Sequence, residues 1–180
     1  MGWVFIMSQP LVPPDLIEAA RIGRILAVEQ RGAETRDTAS HAHAPGQLIG
    51  SLAGLLSVTA ASGSWVVPAT HAIWIPPHVP HALRSHGPFQ GWSVCVVEDA
   101  CPRLPLEPRT RRASSLLRKA VHRVAGWRRT PETEAEHRLA DVVLDEIAAL
   151  PVQPLGLPYP SDPNVQRVTD AILANLADDR

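Results

Sequence analysis

The sequence lacks the features that mark membrane, secreted and redox proteins. Its 180 residues include only two cysteines, Cys95 and Cys101, whose spacing matches no zinc or redox motif. They are typical of the reduced thiols of an intracellular protein. No apolar run reaches the roughly 18 residues of a membrane span, and the apolar opening segment is too short for a signal sequence. We therefore expect a soluble, cytoplasmic protein without a membrane partner.

Charge and catalytic motifs are also sparse. Lys and Arg total 17 against 18 Asp and Glu, so the net charge of −1 gives the whole chain little attraction for DNA or membranes. No glycine-rich loop suits a phosphate, and no serine lies in a nucleophile elbow. Acidic residues are scarce in the N-terminal half, which leaves no material for a paired-carboxylate mechanism. We assign no catalytic residue.

Proline and glycine, by contrast, are frequent, with 18 and 11 residues. They divide the first hundred residues into short segments, as an all-β domain requires, and the 45% hydrophobic content is enough for a core. Short apolar runs bounded by turn residues predict a sandwich or closed barrel. The predicted strands are residues 22–28, 47–52, 55–60, 64–67, 72–75, 81–84 and 91–97.

After Asp99 the pattern changes from strands to helices. A proline-rich connector over residues 100–110 precedes apolar stripes of helical period, which predict helices at 114–126, 133–150 and 163–177. The second helix begins either at Thr130 with Pro131 or at Thr133, which with Glu136 has the spacing of a capping box. Residues 103–129 are strongly basic and residues 132–146 acidic. This segregation fits either a DNA-facing surface or an antiparallel helix pair with opposite charges facing each other, and we favour the pair.

The strongest chemical pattern is the run from His41 to Gln47. Alternation along an extended segment places His41 and His43 on one face, and a Pro-Gly turn then leads to Gln47. His81 comes from a distant segment and could close the same pocket. Three neutral imidazoles and an amide oxygen would suit one divalent metal, with Zn, Ni and Fe as candidates. Alternatively, the same side chains form a polar pocket that hydrogen-bonds an organic ligand.

Two tryptophans are further candidates for the ligand pocket. Trp74 and Trp92 both fall on predicted strands, where a core position is the ordinary explanation. Trp74 comes just before the Pro-Pro turn that leads to His81, which makes it the better candidate for a pocket wall. We therefore predict a ligand pocket lined by Trp74 and Trp92 beside the metal group.

At these residues the sequence resembles a cupin. His41, His43, Gln47 and Gly54 follow the spacing of the first cupin motif, with Gln in place of its Glu and without its leading glycine. Pro76 and His81 match the second motif, whose two glycines and asparagine are absent. The resemblance implies a mainly β fold with C-terminal helices, namely a cupin double-stranded β-helix, or jelly-roll barrel, followed by a helical arm.

A broader resemblance covers nearly the whole chain. The runs 41–47, 65–68 and 72–81, together with residues 154–158 before a capped helix, are similar to AraC-type transcription regulators with an N-terminal cupin sensor. This implies an N-terminal segment (1–21), a cupin barrel (22–103), a helical linker and dimerisation arm (104–152), and a connector with the first helix of a truncated DNA-binding domain (153–180). The implied partners are a small-molecule effector, a second copy of the chain and, through the missing domain, DNA.

Three functions are compatible with these patterns. The resemblance favours an effector-sensing and dimerisation domain that binds a small molecule, a divalent metal or both, and is not an enzyme. The histidines alone would also suit a metal-dependent dioxygenase with three histidines around Fe(II), although no general base accompanies them. A third hypothesis is an interaction module whose pocket no longer binds anything.

Overall fold

The fold is a two-sheet β structure covered on one side by two helices. The computed structural model describes residues 12, 17, 23–153, 156, 157, 164, 165, 167, 168 and 171. Strands in this part of the chain are β1 (Ile25–Gly32), β2 (Asp37–His41), β3 (Gly46–Ala53), β4 (Leu56–Ala60), β5 (Gly63–Val67), β6 (His71–Ile75), β7 (His81–Ser85), β8 (Phe89–Val96), β9 (Arg109–Arg112) and β10 (Gly156–Leu157). The helices are α1 (Ser115–Ala125) and α2 (Glu134–Ala149).

The strand order identifies the fold. One sheet has the order β1-β8-β3-β6-β9 and the other the order β10-β5-β4-β7-β2, and every pairing is antiparallel. We call them the front sheet and the back sheet. Apart from the β4–β5 hairpin, the chain from β1 to β8 changes sheet at each connection, which is the jelly-roll topology of cupins. The expected fold, mainly β with C-terminal helices, is confirmed.

Each sheet contributes one face to the barrel interior. Inward-facing residues of both sheets form an apolar cluster, and its members are Ile49, Leu56, Val58, Val67, Ile73, Ile75, Leu83 and Phe89. The outer face of the front sheet is buried as well, because the helices cover it. Strand β6 is therefore apolar at consecutive positions, and its last four residues are all buried.

The two helices pack on the outer face of the front sheet. Leu117, Val121 and Val124 of α1 and Val143 and Ile147 of α2 join one cluster with outward-facing strand residues. The predicted helices 114–126 and 133–150 are thereby confirmed to within one residue at each end. No described helix is long and apolar enough to cross a membrane.

Both helices begin at side-chain caps, and the sequence predicts the capping box of α2. The Ser114 hydroxyl accepts a hydrogen bond from the Leu117 amide. The Thr133 hydroxyl accepts from the Glu136 amide, and the Glu136 carboxylate accepts in return from the Thr133 amide. These contacts satisfy backbone donors that the first helical turn leaves unpaired.

Strand β9 is a difference from the sequence prediction, which placed its first two residues in a connector. Its sequence, Arg-Thr-Arg-Arg, lacks the apolar alternation of a strand, yet it pairs with β6 along the edge of the front sheet. The Arg111 side chain lies buried beneath α2 and donates to the carbonyl oxygen of Leu150 at the helix C-terminus. A guanidinium is a favourable partner there, because the last carbonyls of a helix lack intrahelical donors.

Smaller differences concern the two ends of the chain. Strand β1 runs from Ile25 to Gly32, later than the predicted 22–28, because its polar second half still pairs with β8. Residues 164, 165, 167, 168 and 171 are helical and exposed. The rest of the predicted helix 163–177, like most of the N-terminal segment 1–21, lies outside the described residues.

We expect acid to weaken the cap of α2 through Glu136. Its pKa is lowered to about 2, first by the hydrogen bond from Arg129 and then by the amides of Glu132 and Thr133. A carboxylate whose pKa is lower in the folded state stabilises the fold above its unfolded value of 4.5, and the contribution is lost as the pH falls from 4.5 towards 2. Urea unfolding of the wild type and of Glu136→Gln at pH 7, 4.5 and 3 should show the stability gap shrinking with acid.

The matched control is Glu134→Gln in the same helical turn. The Glu134 carboxylate lies 3.7 Å from Arg138 and its side chain is 95% exposed, so its removal should produce a much smaller pH-dependent gap. Equal pH dependence in the two variants would contradict the role given to the Arg129–Glu136 contact.

Candidate metal centre

Three histidines from two strands and a loop meet inside the barrel. His41, at the end of β2, is the cross-strand partner of His81, at the start of β7, and their ring centroids are 4.5 Å apart. His43 follows β2 in the connection to β3, and its ring lies 5.2 Å from that of His81 and 5.8 Å from that of His41. One ring nitrogen from each histidine lies within 4.8 Å of the other two.

Gln47 approaches the histidines from the opposite sheet. It lies on β3, where Ile75 and Cys95 are its cross-strand neighbours. Its Oε1 is 3.1 Å from Nε2 of His43 and 3.1 Å from Nε2 of His81. Its amide nitrogen donates to the Ser93 hydroxyl oxygen on β8 at 2.8 Å. The four predicted ligands, His41, His43, Gln47 and His81, therefore form one group that bridges the two sheets.

Backbone carbonyls orient all three rings. The Nδ1 atoms of His41, His43 and His81 donate to the carbonyl oxygens of Ala39, Pro45 and Val79 at 3.0, 2.6 and 2.9 Å. A carbonyl oxygen only accepts, so each Nδ1 must carry the proton. In a neutral ring the lone pair is then on Nε2. This arrangement leaves Nε2 as the nitrogen that each histidine could offer to a metal ion.

Burial keeps the central ring neutral. His81 is 1% exposed, and desolvation lowers its pKa to about 4, with a further lowering from His41 and His43. A hydrogen bond from Nδ1 to Val79 opposes this shift without reversing it. At neutral pH the Nε2 of His81 is thus an unprotonated acceptor. Gln47 is 3% exposed, whereas His41 and His43 are half-buried and form the more accessible side of the group.

Three acceptor atoms face one another in this group. Each of them carries a lone pair: Nε2 of His43, Nε2 of His81 and Oε1 of Gln47. The Gln47 oxygen nevertheless lies only 3.1 Å from each of the two ring nitrogens, with no proton between them. A cation between them would satisfy the three lone pairs. Without one, a half-turn of the amide would let its NH2 group donate to both rings while its oxygen accepts from Ser93.

The donor set fits a divalent metal. Imidazole nitrogen suits zinc, nickel and iron, and an amide oxygen can complete the set. Two ligands at about 2.1 Å from one ion can be at most about 4.2 Å apart. The three ring nitrogens lie within 4.8 Å of one another, so small inward shifts would bring them into a common coordination shell.

The connection that carries His43 differs from the extended strand that the sequence predicts. Strand β2 ends at His41, and the register with β7 shifts between Thr38 and His41. Residues 44 and 45 then bend, and the chain passes from the back sheet to the front sheet at Gly46. The amide of His78, at a φ of 61°, donates to the His43 carbonyl oxygen at 2.9 Å and ties the β6–β7 turn to this connection.

The prediction that Trp74 and Trp92 line the pocket is wrong. Both point to the outer face of the front sheet and belong to the cluster that packs against the helices. Trp74 is the cross-strand partner of Leu48, one position past Gln47, so the alternation of the strand sends it to the opposite face. A Cβ on Gly50 would come within 2.1 Å of the Trp92 ring, which shows how closely that ring covers the strand.

Ser93 and the three carbonyls are parts of the site that the sequence analysis missed. Ser93 is 1% exposed and stands as a polar residue within the apolar run of β8. That interruption is a usable signal, since a buried hydroxyl needs a partner. The three backbone carbonyls cannot be identified from the sequence, because every residue has a carbonyl group.

Comparison with known proteins finds similarity in sequence to a transcription regulator. The HTH-type transcriptional regulator NimR of Escherichia coli (strain K12) is 30% identical over 133 residues, which are 72% of this chain. The chain spans 48% of that regulator's length. No family model matches the chain.

Solved structures are similar at a lower level. An RmlC-like cupin from Shewanella frigidimarina is 20% identical with a TM-score of 0.39, over 41% of this chain and 67% of that one. A cupin superfamily protein from Desulfitobacterium hafniense is 15% identical with a TM-score of 0.37, over 51% and 95%. ToxT from Vibrio cholerae O395 is 7% identical with a TM-score of 0.47, over 87% and 66%. At these TM-scores the similarities have no bearing on function.

The orientation of the His81 ring predicts that its proton is on Nδ1 rather than on Nε2. Free neutral imidazole side chains can carry the proton on either nitrogen, but His81 is held with its proton on Nδ1. In the metal-free protein at pH 7, long-range ¹H–¹⁵N spectra should show a protonated Nδ1 and an unprotonated Nε2 for His81. A proton on Nε2 of His81 would contradict the arrangement.

Proposed function

We propose that this chain is the cupin regulatory domain of an AraC-type transcription regulator, in which a divalent metal and a small-molecule effector bound in the barrel control DNA binding. The 30% identity to an HTH-type regulator over 72% of the chain supports a regulatory role. The chain spans 48% of that relative's length, and DNA binding by the whole regulator is part of the proposal.

The observation that carries the proposal is the convergence of His41, His43, His81 and Gln47 between the two sheets. Three Nε2 atoms and the amide oxygen would hold the ion. The bound ion would act as a Lewis acid that anchors and polarises a donor group of the effector. The carbonyl hydrogen bonds of the three rings would keep the ligands in place while an effector enters and leaves.

The sheet also offers a route from the site to the helices. Gln47 and Ser93 face the barrel interior, and their neighbours Leu48 and Val94 pack against the helical layer from the same strands. If the strands and the helical layer can adopt two arrangements, an effector that binds one arrangement more tightly would raise the population of that arrangement. The homodimer and the cytoplasmic location implied by the resemblance stay predictions.

The three-histidine group also favours a second candidate, a metal-dependent dioxygenase. No carboxylate of the described residues joins the group, so this candidate lacks an evident general base. Iron-loaded protein that consumes oxygen in the presence of a thiol or a catechol, and loses this turnover in His43→Ala, would favour the enzyme over the regulator.

The first expected result concerns metal binding. After treatment with EDTA and dialysis, the chain should bind one equivalent of Ni²⁺ or Zn²⁺ in calorimetric titrations. His43→Ala removes one ligand, so the affinity should fall by more than the about 10–100-fold that changes around a metal site usually cost. His43 is half-buried, so the variant should keep the circular dichroism spectrum of the wild type.

The matched control is His137→Ala on α2, which removes an imidazole outside the histidine group. It should bind the metal as the wild type does. Equal loss of affinity in the two variants, or no binding by the wild type, would overturn the metal site.

The second expected result concerns regulation. A chimera in which this chain replaces the matching segment of the Escherichia coli regulator would drive a reporter from that regulator's own target promoter. Reporter output should depend on added metal in the wild-type chimera and lose that dependence with His43→Ala. If the chimera binds the promoter but reporter output changes neither with added metal nor with His43→Ala, the proposed regulatory role of the histidine group is contradicted.

A further inference from the structure

The candidate metal centre offers no negative charge. Its donors are three imidazoles and one amide, and no described Asp or Glu joins them. Glu98 lies near the turn that carries His78, but its carboxylate contacts the His78 ring at 3.3 Å and is 59% exposed. A divalent ion held by neutral donors keeps its full charge.

The surroundings make that charge costly. His81 is 1% exposed and Gln47 is 3% exposed, so two of the four ligands have almost no contact with water. Ile75 is the cross-strand partner of Gln47, and Leu83 faces the same interior as His81. Apolar walls screen charge poorly, and an uncompensated buried charge is strongly disfavoured.

The group is also incomplete as a coordination shell. Four donors leave two positions free on a six-coordinate nickel or iron ion, and one on a zinc ion that expands from four ligands to five. His41 and His43 are half-buried, so the accessible side of the group is theirs. A further ligand can approach from that side without displacing Gln47 or His81.

We propose that the site binds its divalent ion together with a small organic anion of the carboxylate class, which supplies the negative charge that Gln47 does not. The inference rests on the proposed metal site and names the class of effector that the site accepts. Binding of the ion and of the anion is then reciprocal, because each strengthens the other by the same factor. The anionic effector is attracted by the positive charge of the bound ion. The barrel without the ion therefore has little affinity for the effector.

The test uses Co²⁺ as the probe ion, followed by its visible absorption, and two ligands of the same shape. Acetate carries the charge, whereas acetamide is neutral. In a buffer without chloride or carboxylates, acetate should lower the apparent Kd of Co²⁺ by about tenfold or more, within the usual range of coupling between two ligands. Acetamide should change it by less than about twofold, on the same scale.

Two variants separate the charge from other effects. Gln47→Glu places the missing carboxylate in the site, so it should bind Co²⁺ more tightly than the wild type without acetate and lose most of the acetate effect. Gln90→Glu adds the same charge on β8 outside the histidine group and should keep the acetate effect of the wild type.

The outcomes distinguish the inference from the function on which it rests. Co²⁺ binding that responds equally to acetate and acetamide would overturn the anionic effector and leave the metal site standing. Absence of Co²⁺ binding by the wild type would overturn both. Since the comparison of acetate with acetamide uses the wild type, the inference is tested even if Gln47→Glu does not fold.

Discussion

The hydrogen bonds from three histidine Nδ1 atoms to backbone carbonyls are the constraint on which the site depends. They fix the tautomer of each ring and turn the unprotonated nitrogen away from the carbonyl. Two of the carbonyls precede their histidine by two residues and the third, from Pro45, follows by two. Each ring is therefore oriented by backbone within two residues of it in the chain. The contribution of the jelly-roll fold is to bring the three short segments together.

The fold supplies that proximity by alternating between its sheets. His41 and His81 are 40 residues apart in the chain but are cross-strand partners in the back sheet. Gln47 faces them because the chain crosses to the front sheet at Gly46. Desolvation of His81 follows from this enclosure, and it lowers the pKa of that imidazole and keeps the ring neutral.

Much of this arrangement could be predicted from the sequence. The spacing of His41, His43 and Gln47 indicated a common site, and the turn residues and apolar runs located seven strands. The capping box of Thr133 and Glu136 could also be predicted, because a capping side chain acts on a residue three positions away. These signals are local or belong to a motif with fixed spacing.

What the sequence could not settle depends on which face a strand turns inward. Trp74 and Trp92 are apolar, and both faces of the front sheet are buried, so their hydrophobicity does not reveal their side. Strand β9 is polar and exists because β6 offers it a free edge. The partner of the Gln47 amide, Ser93, is found only when two strands far apart in the chain are placed side by side.

The burial of both faces of the front sheet has one last consequence. Gln47 and Leu48 are adjacent residues, and so are Ser93 and Val94, yet one of each pair faces the histidines and the other the helices. The histidine group and the helical layer are thus separated by a single β-sheet, the front sheet. A substitution that repacks α1 or α2 would act on the same strands that carry Gln47 and Ser93, so residues of the helical layer should influence the proposed metal site.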